Sequence, residues 1–233
     1  MKKPLIAISA LFLSISLSGC QNVSSVAETS SSEASSFSSI SDKEACIAAL
    51  NKEHRFPSFS LNSIIASGGE NLIVSSTKKE IDLTNNIEHI ICYESKVQSL
   101  QDGNSSTVVT STDVYKTSSA TYTRGDNGLY TATDSSDAVF RQYSINFVFS
   151  SVSGWELTKQ GYTSVLKAEI SDISSFTGSD SYTDAEDMVA EAYLSTENVL
   201  TGLAITYTYK DSYSVSLTYS FSYLDVLLEL PTV

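Results

Sequence analysis

Few residues in this chain are of types that do chemistry. Two histidines, His54 and His89, and three cysteines, Cys20, Cys46 and Cys92, are the obvious bases, nucleophiles or metal ligands. His54 lies in Lys52-Glu53-His54-Arg55, a charged stretch at the end of an expected helix, where a cation meets the negative end of the dipole. His89 falls between Ile87 and Ile91 in a run with strand character. Neither has a second ligand-type residue at metal spacing, and no Cys-x-x-Cys or His-Glu-x-x-His occurs. Gly-x-Ser-x-Gly, a phosphate-cradling glycine loop and a dinucleotide fingerprint are absent too. Serines are abundant, but a serine nucleophile needs a positioned base. The acidic cluster Asp180, Asp184, Glu186 and Asp187 lacks the glycine and alternate-position carboxylates of an EF-hand, so helix capping explains it better than calcium. The expectation is a protein that is not an enzyme and that uses no metal and no cofactor.

Cys20 has a different setting. Met1-Lys2-Lys3 opens a short apolar run over residues 5–16, too short to cross a bilayer as a helix, and Leu17-Ser18-Gly19-Cys20 closes it. A charged start, an apolar segment and small residues before a cysteine resemble the signal peptide and lipobox of bacterial lipoproteins. The resemblance implies that residues 1–19 are removed and that Cys20 is acylated. Two or three acyl chains hold a protein on a membrane, at about 0.8 kcal/mol per buried methylene. The expected location is therefore extracytoplasmic, lipid-anchored at the cell surface or in the periplasm.

Residues 20–41 are mostly serine and cannot bury enough apolar surface to offset their ordering entropy, so they read as a flexible tether. As a coil of about 20 residues it would span roughly 25 Å. Residues 42–233 then form a single β-rich domain. The formal charge is −13, and −15 once Lys2 and Lys3 are removed. Such a polyanion repels nucleic acid and anionic lipid surfaces, which leaves the anchor as the membrane contact. Cys46 and Cys92 are either two separate buried thiols or a disulfide closing a loop of roughly 47 residues, worth about 4 kcal/mol in the chain-entropy model.

The elements follow from periodicity. Ser41-Asp42-Lys43-Glu44 reads as a capping box for a short helix ending before Pro57. Alternating runs then predict strands over 59–66, 72–76, 87–100, 108–115, 120–124, 129–133, 140–149, 155–159 and 163–173, with turns at Gly68-Gly69, Asp102-Gly103-Asn104 and 125–128. Thr183-Asp184-Ala185-Glu186 reads as a second capping box, followed by Ala185, Met188, Val189, Ala192 and Tyr193 at helical spacing. Residues 204–209 and 215–223 form a hairpin across Lys210-Asp211-Ser212, and residues 224–230 a last strand before Pro231. The fold class is α+β, mainly β: a curved antiparallel sheet with two short helices.

Val215, Leu217, Tyr219, Phe221 and Tyr223 share one face of the late hairpin, with Tyr207 and Tyr209 on the preceding strand. Such a face must be covered by a layer, a ligand, or both. The order of elements and the stretch 199–231 resemble LolA-like lipoproteins. That resemblance implies an open half-barrel whose apolar face holds lipid or acyl chains. It points to a hydrophobic ligand at Tyr207, Tyr209, Leu217, Tyr219, Phe221 and Tyr223. The alternatives are that these aromatics pack a core, and that the domain is an adhesion or envelope-interaction module whose protein partner the sequence does not name.

Overall fold

A computed structural model describes residues 40–68, 70–99, 105–135, 140–209 and 213–233. The leader, Cys20, residues 21–39 of the serine-rich tether and the turns at 102–104 and 210–212 lie outside the described residues, and the last two tether residues, 40–41, belong to a helix.

Helix α1, Ile40–Leu50, opens the described chain, one residue before the Ser41 box. The short strand β1 (Arg55–Phe56) precedes a hairpin of β2 (Ser58–Ser67) and β3 (Glu70–Asp82). Strands β4 (Ile87–Ser99), β5 (Ser105–Lys116), β6 (Ala120–Arg124) and β7 (Tyr130–Asp134) continue this meander. A second meander holds β9 (Glu156–Gln160), β10 (Thr163–Glu169), β11 (Ala185–Leu194), β12 (Leu200–Tyr209) and β13 (Tyr213–Ser222). Every pairing is antiparallel, and β13 returns beside β2 to join the two meanders along ten paired residues. The result is one curved sheet of eleven strands, order β7-β6-β5-β4-β3-β2-β13-β12-β11-β10-β9. β7 and β9 are its edges, so it is not a closed barrel.

The core lies on one face of the β2 and β9–β13 half. Leu166, Ala192 and Leu203 lie in one cross-strand row and are each fully buried there. Phe221 pairs with Phe59, and the two rings pack around Phe56 from α1's side of the sheet. α1 contributes Cys46, Ala49 and Leu50 to this layer. Residues 143–152, before β9, cross the same face as a strap, and residues 173–182, between β10 and β11, pack beside them on that core.

Three expectations are corrected. Residues 185–194 form β11, not a helix. Met188, Ala190, Ala192 and Leu194 alternate inward and all are at most 2 % exposed, a period of two. A bulge at Asp187, where φ is +52°, shifts the register between Glu186 and Val189 and disguises that period as a helical one. The second helix is instead α2, Ile173–Thr177, and the strand expected over 163–173 ends at Glu169 as β10. Asp172 caps it by accepting from the Ser175 N–H at 2.9 Å, and Gly178 ends it at φ +59°. Those bonds to Ser175 hold the Asp172 carboxyl below its usual range.

Second, only Tyr143–Ser144 of the expected 140–149 strand is β structure (β8), paired with β1 and not with the large sheet. Its alternation is real: Tyr143, Ile145, Phe147 and Phe149 face the core. Third, residues 224–230 are irregular and are anchored by the Leu228 N–H, which donates to the buried Asp82 carboxylate at 3.0 Å.

Candidate functional site

A cleft of about 540 Å³ opens between the strap and the sheet. Its floor is β12 and β13, with Leu203, Tyr207, Tyr209, Tyr219 and Phe221, joined by Phe56 and Phe59 from the β1–β2 stretch. Alternation along β12 and β13 sends those residues to one face, which is why the floor is apolar. Its roof and mouth come from the connecting segments: Ile145 and Phe147 after β8, and Tyr182 in the 3-10 turn Asp180–Tyr182 between β10 and β11. Ser144, Asn146, Thr177, Ser179 and Ser181 complete the lining.

The aromatic residues are positioned by one another. Tyr207 meets Tyr182 and Tyr209 edge-on, with ring centres 5.6 and 5.4 Å apart. Phe147 meets Tyr219 edge-on at 6.1 Å and stacks on Phe176 of α2 at 5.1 Å. Edge-to-face pairs of this kind add about 0.5–1.5 kcal/mol beyond burial. Burial raises the Tyr207 phenol well above its usual value, with Tyr209 adding to the effect, and pushes Tyr219 up to about 12. Tyr182 is raised for the same reason.

Four of the six aromatic-face residues read from sequence line this cleft: Tyr207, Tyr209, Tyr219 and Phe221. Leu217 packs at the fringe of the core instead. Tyr223 lies past the end of β13, where its hydroxyl donates to the Leu200 carbonyl at 2.9 Å. Sequence reasoning missed Phe56, Phe59, Leu203 and the strap residues. The alternation at 143–149 was a signal for the strap, but nothing local said which part of the sheet it would cross.

The ionisable candidates lie elsewhere. The ring of His54 donates through Nε2 to the Leu50 carbonyl at 3.0 Å, capping α1. His89 is buried on the other face of the sheet, stacked on Tyr115 at 3.9 Å. Its Nε2 lies 2.9 Å from Asp113 Oδ1 and its Nδ1 3.6 Å from Glu80 Oε2. Tyr130 donates to the other Asp113 oxygen at 2.7 Å, and burial with that bond pushes its phenol up to about 12. The network ties β3, β4, β5 and β7 together. Among the described residues, no three His, Cys, Asp or Glu side chains are placed to hold a metal ion.

Cys46 and Cys92 are free thiols, so the disulfide alternative is not realised. The physical reason is placement: Cys46 is on α1 and donates to Asn198 Oδ1 at 3.3 Å, while Cys92 is on β4 beside Thr77. The acidic cluster caps no helix. Asp180 begins a 3-10 turn whose cap is the Ser179 hydroxyl, and Asp187 occupies the β11 bulge. No helix among the described residues is long and apolar enough to cross a membrane. The sequence matches no protein-family model and no curated protein, so the meaning of the cleft rests on its own residues.

Proposed function

We propose that this protein is a lipid-anchored extracytoplasmic lipoprotein that holds a hydrophobic, lipid-like ligand in the cleft without transforming it. The observation that carries the reading is the 540 Å³ cleft with its floor of Tyr207, Tyr219, Phe221 and Leu203. That volume falls within the usual range for small-molecule sites, about 300–1,000 Å³. The curved open sheet, partly covered on its apolar face, is the architecture a LolA-like carrier would need.

The test uses the mature chain with Cys20→Ser, which removes the acyl group. N-phenyl-1-naphthylamine, a neutral apolar fluorophore, should bind saturably at one site. Ser181→Trp, at an exposed position in the mouth, should abolish that binding while leaving the melting temperature unchanged. Absence of saturable binding would refute the ligand reading. For the anchor, labelled palmitate should enter the wild-type protein and not the Cys20→Ser protein in its native cell; membrane retention of the serine variant would refute it.

A second reading has its own observation. Ile64 and Val109 lie in one cross-strand row, with Tyr93 and Ile91 in the next two rows of the same face, and all four are exposed. An envelope-interaction module would dock a protein there. Photocrosslinking from position 93 in intact cells would capture one partner on that reading and none on the first.

A further inference from the structure

We propose that the cleft selects amphiphiles whose polar end is uncharged, such as a hydroxyl, ester or amide head on an acyl or aromatic body. The inference rests on the ligand-binding reading above and adds the class of ligand. None of the fifteen residues lining the cleft is charged. The mouth instead offers Ser144, Asn146 and Ser181, whose side chains have no hydrogen-bond partner among the described residues. They are donors and acceptors free to meet a neutral head.

Thr177 and Ser179 are already committed. The Thr177 hydroxyl donates to the Ile173 and Ser179 carbonyls, and the Ser179 hydroxyl accepts from the Ser181 N–H. Deeper in, the phenols of Tyr182, Tyr207 and Tyr219 are neutral as ordinary tyrosines are at pH 7, and burial moves them further from ionisation. The cleft therefore holds neutral dipoles and no ion.

An ionised head at such a mouth gives up part of its hydration to sit against the apolar cleft and gains no opposite charge in return. The formal charge of −13 over the whole chain adds repulsion against anions in particular. A glycerol head with free hydroxyls keeps its hydrogen bonds by exchanging water for Ser144, Asn146 and Ser181. Selection thus arises from what the cleft lacks as much as from what it presents.

The experiment displaces N-phenyl-1-naphthylamine from the mature Cys20→Ser chain with two lipids of equal chain length. 1-Monomyristoylglycerol has an uncharged head, and 1-myristoyl lysophosphatidic acid is an anion at neutral pH. The glyceride should compete at least tenfold better, with little dependence on salt. Ser181→Lys, which puts a cation at the exposed mouth, should raise competition by the anion at least tenfold and leave the melting temperature unchanged. Equal competition by both lipids, or by neither while the fluorophore binds, would overturn the selectivity and leave the cleft as an apolar site. Failure of the fluorophore itself to bind would overturn the ligand reading and the selectivity with it.

Discussion

Asp82 offers the sharpest test of how this body is held together. It is fully buried at the end of β3 and accepts four hydrogen bonds. The Thr84 and Asn85 N–H groups reach Oδ1, both at 2.9 Å; the Asn85 side-chain amide at 2.7 Å and the Leu228 N–H at 3.0 Å reach Oδ2. One carboxylate thus closes the β3–β4 turn and anchors the C-terminal tail. Asp82→Asn keeps an acceptor for the turn but turns an N–H₂ toward two donors. Asn85 can flip its amide to answer this; the Leu228 N–H cannot. One charge-assisted bond is therefore lost and a donor stranded, about 2–3 kcal/mol. Asp82→Ala loses all four, on the order of 4 kcal/mol. Those bonds, the one from Leu228 foremost, hold the Asp82 carboxyl below its usual 3.8. A depressed native value means the stabilisation is present above the unfolded value, near pH 4, and is lost as pH falls through the native one. Urea denaturation of wild type and Asp82→Asn should differ by about 2–3 kcal/mol at pH 7, and the gap should start to close near pH 4 and vanish below the lowered native value. Hydrogen exchange should show the Leu228 amide losing protection in the variant. Equal stability at pH 7, or an unchanged Leu228 amide, would refute the anchoring argument.

Other substitutions separate packing, backbone and surface effects. Leu203→Ala removes a fully buried side chain from the cleft floor and should cost about 2–5 kcal/mol in chemical denaturation while enlarging the bound-probe site. Gly178→Ala should cost about 1 kcal/mol from backbone strain alone, because φ is +59° while a Cβ would meet only the Asn146 carbonyl oxygen at 4.0 Å. His54→Ala removes the cap on the Leu50 carbonyl and should cost about 0.5–1.5 kcal/mol in thermal unfolding. Lys159→Ala, which breaks an exposed pair with Asp42 at 3.1 Å, should shift stability by less than about 1 kcal/mol.

What the sequence revealed was local. Strands β2 to β7 and the β12–β13 hairpin follow from alternation and from turn residues, since period two and Gly-Asp-Asn-Gly are read within a dozen residues. The errors arose where a residue's environment is set far along the chain. β11 carries a bulge at Asp187, so its buried set runs 185, 188, 190, 192, 194, and its first members coincide with helical spacing. Residues 143–149 alternate because they lie extended against a core, which requires no ladder partner. The tail at 224–230 looked like a strand, but its Leu228 N–H is taken by a side chain of another hairpin. The cleft was legible by half: β12 and β13 announced an aromatic face, while the roof comes from two separate connections, before β9 and between β10 and β11, that no local pattern directs.

Those two connections also explain why the cleft has the chemistry it has. A long amphipathic helix laid across β12 and β13 would have supplied a continuous apolar stripe and filled the space. Instead the cover is divided between two connections, β8 and a 3-10 turn at Phe149–Ser151 before β9, and the five-residue α2 with a second 3-10 turn between β10 and β11. Short segments of this kind place one or two apolar anchors each, here Ile145, Phe147, Phe176 and Tyr182, and leave gaps between them. Their intervening residues must satisfy irregular backbone, a task suited to small uncharged hydroxyl and amide side chains. Thr177 and Ser179 do so through hydrogen bonds within the turns. An apolar floor from strand alternation and a neutral polar mouth from turn chemistry thus follow from irregular connections, one before β9 and one between β10 and β11, laid over the strands β12 and β13. If the strap were stiffened into a helix, the floor would remain and the mouth would vanish, and the neutral-head preference should disappear with it.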